Sequence, residues 1–288
     1  MERLRYVLAG LRQEVTSQTA VPRGCAASGT RQLRAGSFEV DATCPLGTPL
    51  MNGGVEPAAE IVTPLTARGV VFLGLDGGPV VLCVVDWTGI GNESHDFLCA
   101  ALAVGVGTEP ERVALHTVHQ HDAPGSDLGA EEILASTGLS GQAFNASLDE
   151  TVAGRLEAAA RAAADSAIVV ARIGTGSAEV DRVASNRHIR GDDGLVYLQR
   201  QSAGGRNPEA AAAPEGVVDR YLRVLGLFDE TGETLASLSF YATHPMSHYG
   251  KGSVNWDFIG MAREQHQSSL PSGAGCLHFN GTSLASEV

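Results

Sequence analysis

Three histidines fall close together, His116, His119 and His121, in the stretch from Val113 to Pro124. The apolar run Val113 to Leu115 leads into them, and Pro124 with Gly125 closes the segment. This reads as a buried strand opening into a loop. On an extended chain His119 and His121 point the same way. Two imidazoles on one face share either a metal ion or a proton, and imidazole nitrogen is a common zinc ligand. The spacing alone is equally compatible with polar histidines satisfied at a strand end.

A second segment ends in the same manner. Leu235 to Tyr241, with Leu238, Phe240 and Tyr241, runs into His244 and Pro245. The proline cannot donate to a ladder, so the strand should stop there. Two strands far apart in sequence, each ending in histidine, could meet at one sheet edge, and the carboxyl ends of strands are where open α/β sheets bind ligands. A hydrolytic zinc site needs about three protein ligands and an open water position. His119, His121 and His244 are the suppliers at hand.

The elements that must position these residues follow from pattern. Of 288 residues, 43% are hydrophobic, which is enough for a large core. Val70 to Leu75 and Val80 to Asp86 flank Asp76, Gly77, Gly78 and Pro79, a hairpin signal. A helix capped by Asn92 or Ser94 and carrying Phe97, Leu98, Ala101 and Leu102 precedes the strand of His116, which makes a βαβ unit. Ser147 and Glu150 have capping-box spacing and open an alanine-rich helix. Ile168 to Ile173 reads as one buried strand. Tyr221 to Phe228 and Thr234 to Tyr241 form a second hairpin, Asp257 caps a helix through about His266, and Cys276 to Phe279 is a last strand. The expected fold class is α/β, a mixed sheet with flanking helices and the metal site at strand carboxyl ends. Residues 1 to 35 are expected to form a loosely ordered leader, and residues 36 to 288 the α/β domain.

Composition excludes other roles. A net charge of −13 without a basic run argues against nucleic acid. No apolar stretch is long enough for a transmembrane helix. The apolar part of the N-terminus is too short for an export signal, so a cytoplasmic location is expected. Cys25, Cys44, Cys83, Cys99 and Cys276 show no metal or disulfide spacing, and Cys83 and Cys99 read as buried thiols.

The order of motifs resembles the N-terminal domain of neutral/alkaline (non-lysosomal) ceramidases and their bacterial relatives. The loop from Pro45 to Met51, the strand and glycine turn from Val80 to Gly91, and the run from His116 to Pro124 match that family's early loop, its turn and its Asn-x-Thr-His-Thr-His-Ser-Gly-Pro pattern. Asn186 with Arg187, Thr243 to Ser247, and Asn255 to Arg263 match its Asn-Arg pair, His-Pro segment and following helix. The resemblance covers residues 36 to 283.

It implies a Zn²⁺-dependent hydrolase that cleaves the amide bond of an N-acyl, ceramide-type lipid. His119 and His244 would be metal ligands. His121 would stand beside the zinc water or the substrate, and Arg187 would hold the substrate's polar group or the oxyanion. His248 and Tyr249 are the candidates for lining the pocket. Read from the residues alone, Arg187 equally forms a surface ion pair with Asp192 or Asp193. Asp86 is either a partner for a histidine N–H or a turn cap, and Asp257 reads first as a helix cap.

The sequence also departs from the pattern. His116 stands where the family has Asn, and Gln120 and Asp122 replace Thr and Ser. The family's serine-bearing loop after the last strand is not matched by Ser283 or Ser286, and its remaining zinc ligands, a glutamate and a tyrosine, lie beyond residue 288. The alternative expectation is therefore a truncated or inactive relative that retains fold and ligand binding only.

Overall fold

The computed structural model describes residues 17–20, 32–181, 183–200, 207–280 and 286–287. Its frame is two five-stranded sheets packed face to face. In chain order the strands are β1 (Ser17–Ala20), β2 (Arg34–Asp41), β3 (Thr66–Leu73), β4 (Val80–Val85), β5 (Val113–Thr117), β6 (Ile168–Val169), β7 (Arg172–Glu179), β8 (Tyr221–Phe228), β9 (Thr234–Tyr241) and β10 (Gly275–Asn280). The four longer helices are α1 (Asn92–Val106), α2 (Leu128–Ser136), α3 (Ala146–Asp165) and α4 (Asp257–Gln267). One sheet runs β5-β4-β3-β2-β6 and the other β1-β7-β8-β9-β10.

Each sheet is antiparallel except for one pair, β4 with β5 and β9 with β10. Those parallel pairs are joined through α1 and α4, as parallel strands require a crossover. Among the described residues these make two βαβ units, and a histidine segment follows a strand of each. Between β3 and β4 the turn holds Gly77 at φ 83° and Gly78 at φ 110°, a conformation glycine adopts without steric penalty. The hairpin pairs Val71 with Val81. Alternate residues of these strands face different cores. Val71, Val81 and Val85 pack on Leu98, Leu102, Val152 and Leu156 of α1 and α3. Val70 and Val84 pack on Leu227, Leu238 and Leu277 of the opposite sheet.

Four expectations are corrected. The apolar run from Ile168 is two strands: β6 pairs with β2, the amides of Val170 and Ala171 bond to Leu33 and Phe228, and β7 continues in the other sheet. A buried run fits either sheet, so its pattern does not show the crossing. The histidine-bearing strands likewise lie in different sheets and do not share an edge; sheet packing brings their ends together. Neither Asn92 nor Ser94 caps α1, whose N-cap is Gly91. The Asn92 amide donates to Asp127 at 2.6 Å, and Ser94 Oγ accepts from the Leu128 amide at 2.9 Å. The capping box of Ser147 and Glu150 is also absent, since α3 begins at Ala146 with Asn145 at its N-cap. At α1 tertiary partners replaced the local ones, whereas at α3 Ser147 Oγ donates locally to Asn145 Oδ1 at 2.8 Å and it is Asp149 that turns inward to accept from Ser126 Oγ at 2.6 Å.

The leader expectation falls mostly on residues 1–16 and 21–31, outside the described residues. Ser17–Ala20 is an edge strand on β7. Cys44, Cys83, Cys99 and Cys276 are buried free thiols. Among the described residues no helix is long and apolar enough to cross a membrane.

Candidate metal centre

β5 ends at Thr117, and the Val118 amide makes one more bond, to the Val85 carbonyl at 3.1 Å. The chain then turns sharply, because His119 has φ 60°. A left-handed conformation costs an L-residue about 1–2 kcal/mol, so neighbouring contacts must hold it. The extended geometry expected for His119 and His121 is therefore absent, yet the two rings still meet, with centroids 5.0 Å apart. His244, three residues beyond β9, completes the group, 4.9 Å from the ring of His119 and 4.7 Å from that of His121.

The ring nitrogens are committed in a consistent way. Nδ1 of His119 lies 2.7 Å from the Thr88 carbonyl, and Nδ1 of His121 lies 2.8 Å from the Pro245 carbonyl. A carbonyl only accepts, so these Nδ1 atoms carry protons and both Nε2 atoms present lone pairs. Nε2 of His121 is 3.1 Å from Nε2 of His244. One ligand nitrogen from each of the three histidines lies within 4.8 Å of the others. Burial lowers the pKa of His119, aided by nearby His244 and opposed by its bond to Thr88. That favours the neutral imidazole, the form that ligates a metal.

This donor set fits zinc. Nitrogens each about 2 Å from one ion lie at most ~4 Å apart, so the trio needs to close only slightly, by less than ~1 Å. The outward Nδ1–H bonds to carbonyls are the usual support for imidazoles around a metal.

The loop after Pro245 is anchored from below by buried carboxylates. Asp122 Oδ1 accepts from the Gly250 amide at 2.7 Å, and Asp257 Oδ2 accepts from the His248 amide at 3.1 Å. This sets the Tyr249 ring edge-on to His121, 5.5 Å between centroids. Tyr249 remains 40% exposed, as a residue at a site's mouth would be. Neighbouring His248 is exposed. Asp257 is not the helix cap expected of it: Trp256 is the N-cap of α4, and Asp257, its first residue, accepts from the next amide, Phe258, and supports the loop.

Asp86 fills neither expected role. It is buried against Arg263, which contacts its two oxygens at 2.6 Å each, and Thr66 donates to it from backbone and side chain. Arg187 lies between the short strands Ser185–Asn186 and His188–Arg190, in a lobe braced by Arg200. The Arg200 amide donates to the Arg187 carbonyl at 2.7 Å. Its guanidinium donates to the carbonyls of Asn186, Ala210, Ala213 and Pro214.

His116, first of the sequence cluster, points elsewhere, to the Asn280 carbonyl at 2.9 Å. The backbone acceptors Thr88 and Pro245 were invisible in sequence, because every residue carries a carbonyl. Asn280 had one signal, its position at the end of the last long strand.

No family model matches the sequence, and no curated protein matches it significantly. Solved structures do. The crystal structure of neutral ceramidase from Pseudomonas aeruginosa superposes with a TM-score of 0.68 at 21% identity, over 89% of this chain and 39% of that one. The fold is shared with a ceramidase. A structure described as ceramidase complexed with C2 gives the same TM-score and identity, with 38% of its chain covered. The chain therefore spans well under half the length of these ceramidases.

Proposed function

We propose that this chain is a zinc-dependent hydrolase that cleaves the amide bond of an N-acyl lipid, in the manner of a ceramidase. The observation that carries the reading is the convergence of His119, His121 and His244 nitrogens, with two rings braced from behind by carbonyls. The shared fold with ceramidases supports it. His119 and His244 hold the metal. Zinc bound there acidifies water and polarises a carbonyl.

The chain's own residues do the rest. His121 accepts a proton at Nε2, and the Pro245 carbonyl, bonded to its Nδ1–H, stabilises the imidazolium. Arg187 holds the substrate's polar group or the developing oxyanion, a role suited to a fixed guanidinium. His248 and Tyr249 line the substrate's entry. The working substrate is a small N-acyl or lipid molecule.

The test is elemental analysis of the purified chain together with hydrolysis of an N-acyl amide before and after chelation. About one zinc per chain and chelator-sensitive hydrolysis are expected. Absence of both metal and chelator-sensitive turnover sinks the proposal. Bound zinc without turnover selects the second reading, a relative that keeps fold and ligand binding only.

A further inference from the structure

β5 and β10 are edge strands of different sheets, so no ladder joins them. They are nevertheless tied at their carboxyl ends by two hydrogen bonds. His116 Nε2 donates to the Asn280 carbonyl at 2.9 Å, and Asn280 Nδ2 donates to the Val118 carbonyl at 3.2 Å. Asn280 is buried, and the ring of Phe279 lies 5.8 Å from that of His116. Each strand has one group that donates and one that accepts, so the pair is reciprocal.

The position of this tie matters more than its existence. The acceptor on one side is the carbonyl that forms the peptide bond to His119. Rotation about φ of His119 swings that carbonyl relative to the ring. The Val118 peptide unit is held through its amide by Val85 and through its carbonyl by Asn280. A left-handed φ at His119 is what such a two-sided grip is needed to maintain. On the other side, Asn280 pairs in register with Tyr241, and His244 follows Tyr241 by three residues. The tie thus joins the two βαβ units immediately before the point where each releases its histidines.

We infer that His116 and Asn280 are positioning residues that set the separation of His119 and His121 from His244 and so tune metal affinity. This rests on the proposed function, with His119 and His244 holding the metal and His121 beside it. A merely structural pair would, when broken, lower the melting temperature and leave the affinity of the folded protein intact.

The experiment measures Zn²⁺ affinity by chelator competition and the Co²⁺ absorption spectrum on the metal-depleted chain, beside the melting temperature of the same samples. His116→Phe keeps a ring beside Phe279 and removes the donor. Asn280→Asp keeps the shape and replaces the donor with an acceptor. Both should remain folded and lose affinity by about 10- to 100-fold, the range found when partners behind metal ligands are removed. His116→Gln, which restores an N–H donor, should recover most of the loss. Wild-type affinity in both His116→Phe and Asn280→Asp overturns the proposal.

A metal-free readout keeps this separate from the function itself. Crystal structures of metal-free wild type and His116→Phe should differ at His119, with its φ leaving 60° and its ring moving from His244. If wild type binds no zinc, the metal reading fails; the positioning claim then stands or falls on that structural comparison. An unmoved His119 in the metal-free variant overturns it.

Discussion

Two buried polar regions of this molecule are built on opposite logic. Between the sheets, Arg263 and Asp86 close a bidentate pair, Thr66 donates to Asp86, and Arg68 donates to Thr66, Gln267 and the Cys276 carbonyl. Arg68 also reaches the Glu39 carboxylate at 3.0 Å, so each guanidinium there has a carboxylate. At the strand ends the histidines do the reverse. His119 and His121 commit Nδ1 to carbonyls behind them, which leaves Nε2 as the lone-pair nitrogen, and Nε2 of His121 meets Nε2 of His244 at 3.1 Å. A group of acceptors turned toward a common point is unfavourable unless something positive or protic joins them. Burial and polarity are common to both regions. The direction in which the side-chain nitrogens turn distinguishes scaffold from site.

Removing Asp86 tests the scaffold half most forcefully. Asp86→Ala leaves the Arg263 guanidinium buried without its partner, a change that destabilises by about 3–5 kcal/mol. Denaturant unfolding should show this, while the folded fraction should bind zinc normally. The pair also has a pH signature. Burial pushes the Asp86 carboxyl up, but the charge and hydrogen bonds of Arg263, with those of Thr66, more than offset it and hold the pKa below the ordinary value. A depressed carboxylate stabilises the fold above its unfolded pKa, and that contribution is lost as pH falls through the folded one. A stable Asp86→Ala protein would mean that the interior pair is dispensable and the contrast overdrawn.

His244→Ala probes the other half. Removing one of the two histidines proposed to hold the metal should weaken zinc binding at least about hundredfold, or ~2.7 kcal/mol, and abolish chelator-sensitive hydrolysis. The melting temperature of the metal-free protein should barely move, because the ring contributes little to either core. Calorimetry of zinc binding and thermal melts on one preparation settle both points. A large fall in metal-free stability would make His244 a scaffold residue.

Much of this arrangement was legible beforehand. His119, His121 and His244 stood out by residue type and by the strands leading into them. The two hairpins and the first βαβ unit followed from apolar runs and glycine turns. Part of what escaped came from competition between local and distant partners. Asn92 and Ser94 have the side chains of caps, but Asp127, Asp149 and the Leu128 amide gave them partners elsewhere, whereas Ser147 stayed local and bonds to Asn145. Asp86 looked like a histidine partner until Arg263, far along the chain, claimed it. The strand split at Val170 and the tie between His116 and Asn280 depend on which sheet each segment joins, and hydrophobic pattern carries no such information.

His278 offers the subtlest test, because it is a histidine in the scaffold. It is buried, with Nδ1 2.9 Å from Ser239 Oγ. Burial, reinforced by the positive charges of Arg263 and His116 and opposed by Asp86, lowers its pKa to about 3. The unfolded chain binds this proton from about pH 6.5 downward, whereas the folded chain does not until about pH 3. Between those values the unfolded state holds more protons, so stability falls as pH falls. From pH 6.5 to 5 the loss is about 2 kcal/mol. His278→Leu removes the titrating group, so its stability curve should be flatter by that amount over the same interval, read from urea midpoints at stepped pH. An unchanged slope would mean that the ring is protonated inside the fold or that the interior opens to water. His278 would then have to be grouped with the strand-end histidines, and the line drawn between paired interior groups and outward-facing ligands would no longer hold.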